Sequence, residues 1–277
     1  MIKPVQMMMK SKIGPIHKFG HYLAYIWQYR GIVKLSVAKD LKGRFNNTIL
    51  GYFWHLLNPL SQIIIYYLIF TVIFGRAIPN YWVYVSTGMF AFTFFLTSTS
   101  GSSNAIIGNS RMVTKMSMAK ETIVISKVLT NLILLSISYS LLIVLMFLFR
   151  VNVSLSIISM PVILIGLTAF NLGLGLLLSA LTVYVRDVAN AAAILFGCMM
   201  FAVPVFYLPE TRSTPMMEIF WSINPLYYYI DAIHNAFYFG VFPSVFELLI
   251  CVLSGIITLI VGLSVFKRLE GGFAERL

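Results

Sequence analysis

The chain carries little charge, and almost none of it lies where the hydrophobic residues are. Of 277 residues, 59% are hydrophobic, 10% are charged and only nine are acidic. Soluble domains hold about a quarter charged residues, so a water-soluble globular fold is excluded. Between positions 51 and 74 there is no Asp, Glu, Lys or Arg at all. Cysteine is scarce too: Cys198 and Cys251 both lie in apolar runs. They form either a disulfide or, as the surroundings favour, two small buried hydrophobes. No Cys/His cluster has metal-ligand spacing, and no G-x-x-x-x-G-K-[ST] phosphate loop occurs, so ATP is not bound by that device. The first 50 residues are basic and broken by Gly and Pro; this is not the short apolar core of a cleaved leader.

What is present is a set of long apolar runs. A helix rises ~1.5 Å per residue, so positions 51–74 reach roughly 36 Å, beyond the ~30 Å hydrocarbon layer. Five more runs follow at 81–105, 122–149, 157–183, 189–208 and 245–266. Backbone polar groups in lipid must be satisfied internally, and runs of this length select helices over alternating barrel strands. The expectation is an all-α integral membrane fold with six spans.

Orientation follows from the cations. Six spans place both termini on one side, and that side holds seventeen of the twenty Lys and Arg, leaving Arg76, Arg150 and Arg212 opposite. The positive-inside rule makes both termini cytoplasmic. The same distribution explains the net charge of +11 without nucleic acid, for which no motif is present.

Positions 1–50 form an interfacial region. Phe19, Tyr22, Ile26 and Tyr29, then Val33, Val37, Leu41 and Phe45, recur at helical steps against Ser36, Lys39, Asp40 and Lys42. Such a basic, aromatic-bearing amphipathic stretch lies on a membrane surface, with Lys34 snorkelling from its apolar face; the alternative is a soluble helix on a partner protein. The outer segment 209–244 is rich in aromatics. Thr214–Pro215 starts a helix there, Asn224–Pro225 breaks it, Gly240 ends its successor, and Ser244 with Glu247 has capping-box spacing. Two short re-entrant helices at about 214–240 are predicted, with broken backbone buried in protein or lining a cavity. The Ser/Thr cluster at 97–103 reads as close helix packing.

Catalytic chemistry is sparse. Within the runs almost nothing ionises, His55 and Lys127 standing near the starts of the first and third, and Arg186 adjoins Asp187 at a boundary. Asp231 and His234, at i and i+3, form the one acid–base candidate, with no nucleophile or metal-binding set beside them, and a structural role is favoured. Ion-coupled carriers place carboxylates or unwound helices at mid-membrane; here Asn58–Pro59 and Asn171 with Gly173 and Gly175 are the only loosening devices. Active transport therefore needs energy from another polypeptide.

Four stretches in order, 44–66 (RFNNTILGYFWHLLNPLSQIIIY), 109–132 (NSRMVTKMSMAKETIVISKVLTNL), 186–210 (RDVANAAAILFGCMMFAVPVFYLPE) and 223–237 (INPLYYYIDAIHNAF), resemble the permease subunits of bacterial polysaccharide ABC exporters of the O-antigen and teichoic-acid type. The likeness covers most of positions 19–270. It implies a plasma-membrane homodimer carrying two copies of a separate ATPase subunit, which binds ATP and Mg; this chain holds no cofactor or metal. By the same likeness 109–121 is the coupling helix seated in the ATPase, with Asn109, Arg111, Met112, Lys115, Met116, Lys120 and Glu121 as its contacts. Trp221, Tyr227, Tyr228 and Tyr229 flank the outer mouth. One departure is that Met118-Ala119-Lys120-Glu121 stands where the family often has Phe-Pro-Arg/Lys-Glu.

The residues themselves fit this role. A glycan slides on aromatic faces without fixed hydrogen-bond demands, in contacts weak enough to release in turn. Tyr66, Tyr67 and Phe70 of the first run, with Phe196, Phe201, Phe206 and Tyr207 of the fifth, are the candidate lining; the alternative is packing against lipid or other helices. Lys42, Arg44 and Arg186 are candidates for an anionic lipid headgroup at the cytoplasmic entrance, although the positive-inside bias alone also places cations there. The expected organisation is an interfacial region at 1–50, a permease domain at 51–270 and a tail at 271–277. The expected function is ATP-driven export of a lipid-linked surface polysaccharide. The alternatives are a permease for a drug, lipid or peptide, and a membrane enzyme acting on a lipid-linked sugar.

Overall fold

The computed structural model describes residues 27–44, 53–73, 79–116, 118–209 and 214–277. Phe19, Tyr22, Ile26 and Phe45 of the expected amphipathic stretch lie outside the described residues, as do Arg76 and Arg212 and the side chains of Arg44, His55 and Phe70. Among the described residues every regular element is helical. Three helical stretches are long and apolar enough to cross a membrane: Glu121–Leu148, Leu155–Tyr184 and Val245–Arg276.

Helix α1 (Arg30–Arg44) rests on α5 (Glu121–Leu148). Val33, Val37 and Leu41 face Leu129, Leu132 and Ile133 across a shallow apolar cleft with Lys34 at its edge. Asp40 pairs with Lys127 at 2.8 Å, so the one cation in the third apolar run is neutralised from α1. Helix α2 (Trp54–Tyr67) carries Pro59 in its interior and continues as a π-helical turn, Leu68–Ile73. A proline removes one backbone hydrogen bond, and Ser61 Oγ–H donates to Asn58 O at 2.8 Å in that turn.

Helix α3 (Tyr81–Ser103) is the central element, buried on nearly every face and touching α2, α5, α6 (Met160–Tyr184), α7 (Asp187–Ala202) and α9 (Pro225–His234). Three of its buried hydroxyls return to their own helix: Ser86 to Trp82 O at 2.6 Å, Thr87 to Val83 O at 3.0 Å and Thr99 to Phe95 O at 2.8 Å. Satisfied in this way, polar residues sit in an apolar interior at little cost. The 97–103 cluster does pack closely, since a Cβ on Gly175 of α6 would come within 2.7 Å of Ser102.

Between α3 and α5 the chain forms a turn at Ala105–Gly108 and the short α4 (Ser110–Lys115). Further along the chain, α8 (Pro215–Ile223) is capped by Thr214, which accepts from Met217 N–H at 3.4 Å. Helix α9 is capped by Asn224, which accepts from Leu226 N–H at 3.1 Å, and runs into a π-helical turn, Asn235–Phe239, closed by Gly240 at φ 66°. Ser244 and Glu247 complete a reciprocal capping box at the start of α10 (Val245–Leu269), as their spacing predicts. After a 3₁₀ turn, α11 (Phe273–Arg276) folds back against α4.

The tightest packing joins α6 and α10. Gly166 and Gly173 on α6 face Gly255 and Gly262 on α10 with the same seven-residue spacing. A Cβ on Gly255 would stand 2.5 Å from Gly166 O, one on Gly166 2.8 Å from Cys251 O, and one on Gly262 would be driven into the Gly173 carbonyl. Small residues admit this close backbone approach between apolar helices. Gly173 and Gly175 therefore do not loosen α6, which runs unbroken from Met160 to Tyr184; they are where its neighbours come nearest. Both cysteines are free, Cys251 buried and Cys198 exposed.

Candidate functional site

The loop between α3 and α5 is built from two parts. Asn109 Nδ2–H donates to Ala105 O at 2.8 Å, and Val113 is buried in a cluster with Ile106, Ile123, Val183, Phe266 and Phe273. With that face anchored, Arg111, Thr114, Lys115 and Met116 are exposed, and Met112 is half-buried against the same cluster. The helix ends at Lys115 because Met116 adopts extended backbone, φ −109° and ψ 130°.

The rest of the predicted coupling segment turns inward. Met118 and Ala119 are buried. Lys120 Nζ donates to Glu270 O at 2.9 Å and sits 5.3 Å from the Phe273 ring centre. Glu121 is buried and ion-paired to Lys267, which also reaches Glu270 at 3.1 Å. The expected helix over 109–121 is thus a six-residue helix followed by a strap. Arg111, Lys115 and Met116 present outward, while Lys120 and Glu121 tie the loop to the end of α10.

The candidate lining aromatics divide. Tyr66 and Phe206 are half-buried and meet around Tyr81, Tyr84 and Val85, which brings the first and fifth runs together. Phe196 packs on Phe95 at 5.1 Å. Tyr67 and Phe201 are exposed, the latter at 69%. Tyr207 joins an aromatic row: it stacks on Trp221 at 6.2 Å, Trp221 on Tyr227 at 5.4 Å, and Tyr228 meets Tyr227 edge-on at 5.3 Å and Phe246 at 6.4 Å. Trp221 Nε1–H donates to Ala202 O at 2.9 Å, fixing the row to the end of α7. Tyr229, placed at the outer mouth by resemblance, is instead fully buried; its hydroxyl reaches Cys251 O and lies 3.0 Å from the Ser254 hydroxyl. It faces away from the row, into the seam beside α10.

Lys42 and Arg186 are both exposed, but on different elements: Lys42 on α1, which rests on α5, and Arg186 at the start of α7, which rests on α3 and α6. Asp231 and His234 do not pair. The His234 ring lies buried on Tyr84, centroids 3.8 Å apart, with Nε2 3.1 Å from Tyr84 O. Among the described residues no group of three or more His, Cys, Asp or Glu comes together.

Two residues that sequence reasoning missed organise the end where α3 begins. Tyr84 Oη–H reaches Pro204 O at 2.9 Å and Tyr207 O at 2.8 Å, and Tyr81 Oη–H donates to Phe206 O. The segment after α7 is thereby held by hydroxyls from α3. The available signal was a pair of tyrosines at i and i+3 opening the second run.

Residues 32–238 match the family model described as ABC-2 type transporter. Curated relatives include the O-antigen export system permease protein RfbA of Klebsiella pneumoniae, 30% identical over 94% of this chain and 99% of the relative. The protein of the same name from Myxococcus xanthus is 27% identical over 91% and 97%. With the family match spanning most of its length, the chain belongs to the ABC-2 type transporter family of membrane proteins.

Proposed function

We propose that the chain is the membrane subunit of an ATP-driven exporter that moves a lipid-linked surface polysaccharide, of O-antigen or teichoic-acid type, out of the cytoplasm. The observation that carries this reading is its alignment, over nearly the whole of both chains, with permeases named for O-antigen export. The outer aromatic row from Tyr207 to Phe246 supports a carbohydrate cargo, because ring faces pack on sugar C–H groups.

In this reading six spans cross the plasma membrane of a bacterium with both termini cytoplasmic. Helix α2 with its π turn, α3, and α7 with the segment after it supply the first, second and fifth, and α8 and α9 re-enter from the outer side. Two copies face each other around the glycan path. Two ATPase subunits bind ATP and Mg, close on the nucleotide, and push on Arg111, Lys115 and Met116. Val113 transmits the push into the cytoplasmic cluster, and the ties from Lys120 and Glu121 carry it to α10, so the protomers separate as rigid bodies. Lys42, Arg44 and Arg186 supply cations for the lipid diphosphate.

The test is reconstitution in vesicles with the partner ATPase and a lipid-linked oligosaccharide. ATP-dependent transfer should need both proteins. Transfer or nucleotide hydrolysis by this chain alone would overturn the reading, as would a complex that moves a drug, peptide or simple lipid and leaves the glycan behind.

A further inference from the structure

A polar crevice opens between α2, α3 and α5, enclosing about 260 Å³. Its amide groups are Asn58, Gln62 and Asn131, and its hydroxyls include Thr93, Thr97 and Ser138. Phe90 and Phe94, both buried, supply ring surface on its inner wall. Asn58 and Thr97 are exposed and Asn131 is buried, so the crevice runs from the surface of the protomer into its interior. Lys127, paired with Asp40 at 2.8 Å, precedes Asn131 by four residues and so shares its face of α5. An ion pair therefore marks one end of the crevice, on the cytoplasmic side by the orientation proposed above.

Hydrocarbon tails are a poor occupant for such a lining. An amide offers two donors and an acceptor, and Asn58 and Gln62 facing hydrocarbon would forfeit their hydrogen bonds at a cost. The hydroxyls of Ser61, Thr97 and Ser138 donate to carbonyls of their own helices and offer only acceptor lone pairs. The combination of the Asn58 and Gln62 amides, hydroxyl oxygens that can still accept, and the apolar surfaces of Pro59, Phe90, Phe94, Leu134 and Leu135 matches a sugar, which has hydroxyls at its edge and C–H groups on its faces. The volume falls below the ~300 Å³ at which drug-sized pockets begin, a scale suited to a single ring. We infer that this crevice is a saccharide subsite, receiving the sugar next to the diphosphate of the lipid-linked cargo before it reaches the path between protomers. The inference rests on the export reading and adds a second place in each protomer where the cargo is held.

The experiment uses the permease with its partner ATPase in lipid nanodiscs. Cys198→Ser removes the exposed native thiol, and Ser61→Cys or Thr97→Cys places a reporter in the crevice. The reporters are treated with a charged maleimide that does not enter hydrocarbon. Three probes compete: a polyprenyl diphosphate disaccharide, the same prenyl diphosphate without sugar, and the free disaccharide. Labelling should occur without a probe, and the saccharide-bearing lipid should suppress it far more than the sugar-free lipid. Gln62→Leu should raise the concentration needed for half-protection about five- to tenfold, the equivalent of one lost amide contact. Asn58→Leu should do the same; Asn58 is exposed and Gln62 half-buried, so neither variant opens a cavity in the core.

Equal protection by the sugar-free lipid overturns the subsite in favour of a phosphate or prenyl contact. Labelling that no probe suppresses overturns it in favour of water. Reporters inert in the complex but reactive in the isolated protomer overturn it in favour of a second copy. Glycan export by the unsubstituted complex is measured in parallel, so loss of export with protection intact counts against the export reading alone.

Discussion

Gly262 of α10 lies directly against the backbone carbonyl of Gly173 in α6, with no room for a Cβ between them. A clash with backbone cannot be relieved by turning a side chain, so Gly262→Ala must part the two helices. Overpacking costs ~1–3 kcal/mol, and this substitution should reach or exceed the upper end. Gly197→Ala is the control, because a Cβ on Gly197 would meet nothing within 4 Å among the described residues and alanine favours a helix by about 1 kcal/mol over glycine. Thermal unfolding of the purified protein in detergent should show a large drop for the first and no drop for the second.

Glu121 and Lys267 form an ion pair whose carboxylate side is buried at 1% exposure. Lys267→Gln strands the buried carboxylate, at a cost of about 3–5 kcal/mol, whereas Glu121→Gln leaves Lys267 paired with Glu270 at 3.1 Å and costs less. The double variant should lose much less than the sum. A double-mutant cycle on unfolding measures this; strictly additive losses would show that the two side chains do not act on each other.

Arg111 and Lys115 project from α4 without supporting the fold. Reversing both, Arg111→Glu with Lys115→Glu, should leave unfolding within ~0.5 kcal/mol of the parent, as for other surface positions. ATP-driven glycan transfer and co-purification of the ATPase should fall together. Unchanged transfer would remove α4 from the coupling surface.

Asn171 is fully buried in α6, and neither its amide nitrogen nor its oxygen has a hydrogen-bond partner. A buried polar group left unsatisfied costs about 1–3 kcal/mol, and an apolar group of the same shape relieves that cost. Asn171→Leu should therefore raise the melting temperature. If transport declines while stability rises, the amide serves the transport cycle rather than the resting fold; a lower melting temperature would show that it is bonded after all.

The parts of the fold legible in the sequence are those set by neighbours along the chain. The Ser244/Glu247 capping box, the helix starts at Pro215 and Pro225 and the Gly240 stop all depend on backbone groups within a few residues, and all are present. The direction each helix faces is not local. A soluble helix announces its inner face by alternating polarity, but α6 and α10 are apolar all round, so the composition of 245–266 does not reveal that Gly262 meets Gly173. For the same reason Tyr229 and Tyr228, adjacent and alike, separate into a buried anchor and a member of the outer row. Charge pairing was hidden by distance: Glu121 read as a surface contact of a loop because Lys267 lies so far along the chain. The sequence offers the candidate site as a set of aromatic segments and a basic loop, and the division of those residues into outward and inward ones comes only from three-dimensional packing.

Helix α2 is made differently from the pair welded by glycines. Pro59 deletes one rung of its hydrogen-bond ladder, and the turn from Leu68 to Ile73 is wound wider than the rest. Kinks concentrate at such places. The rod between them, bordered by the crevice at one end and Tyr66 and Tyr67 at the other, has its ladder interrupted at both ends. The chain thus joins a close-packed keel, α6 with α10, to a rib interrupted twice, and in the proposed exporter bending to admit a polymer of uneven width would cost least at the rib.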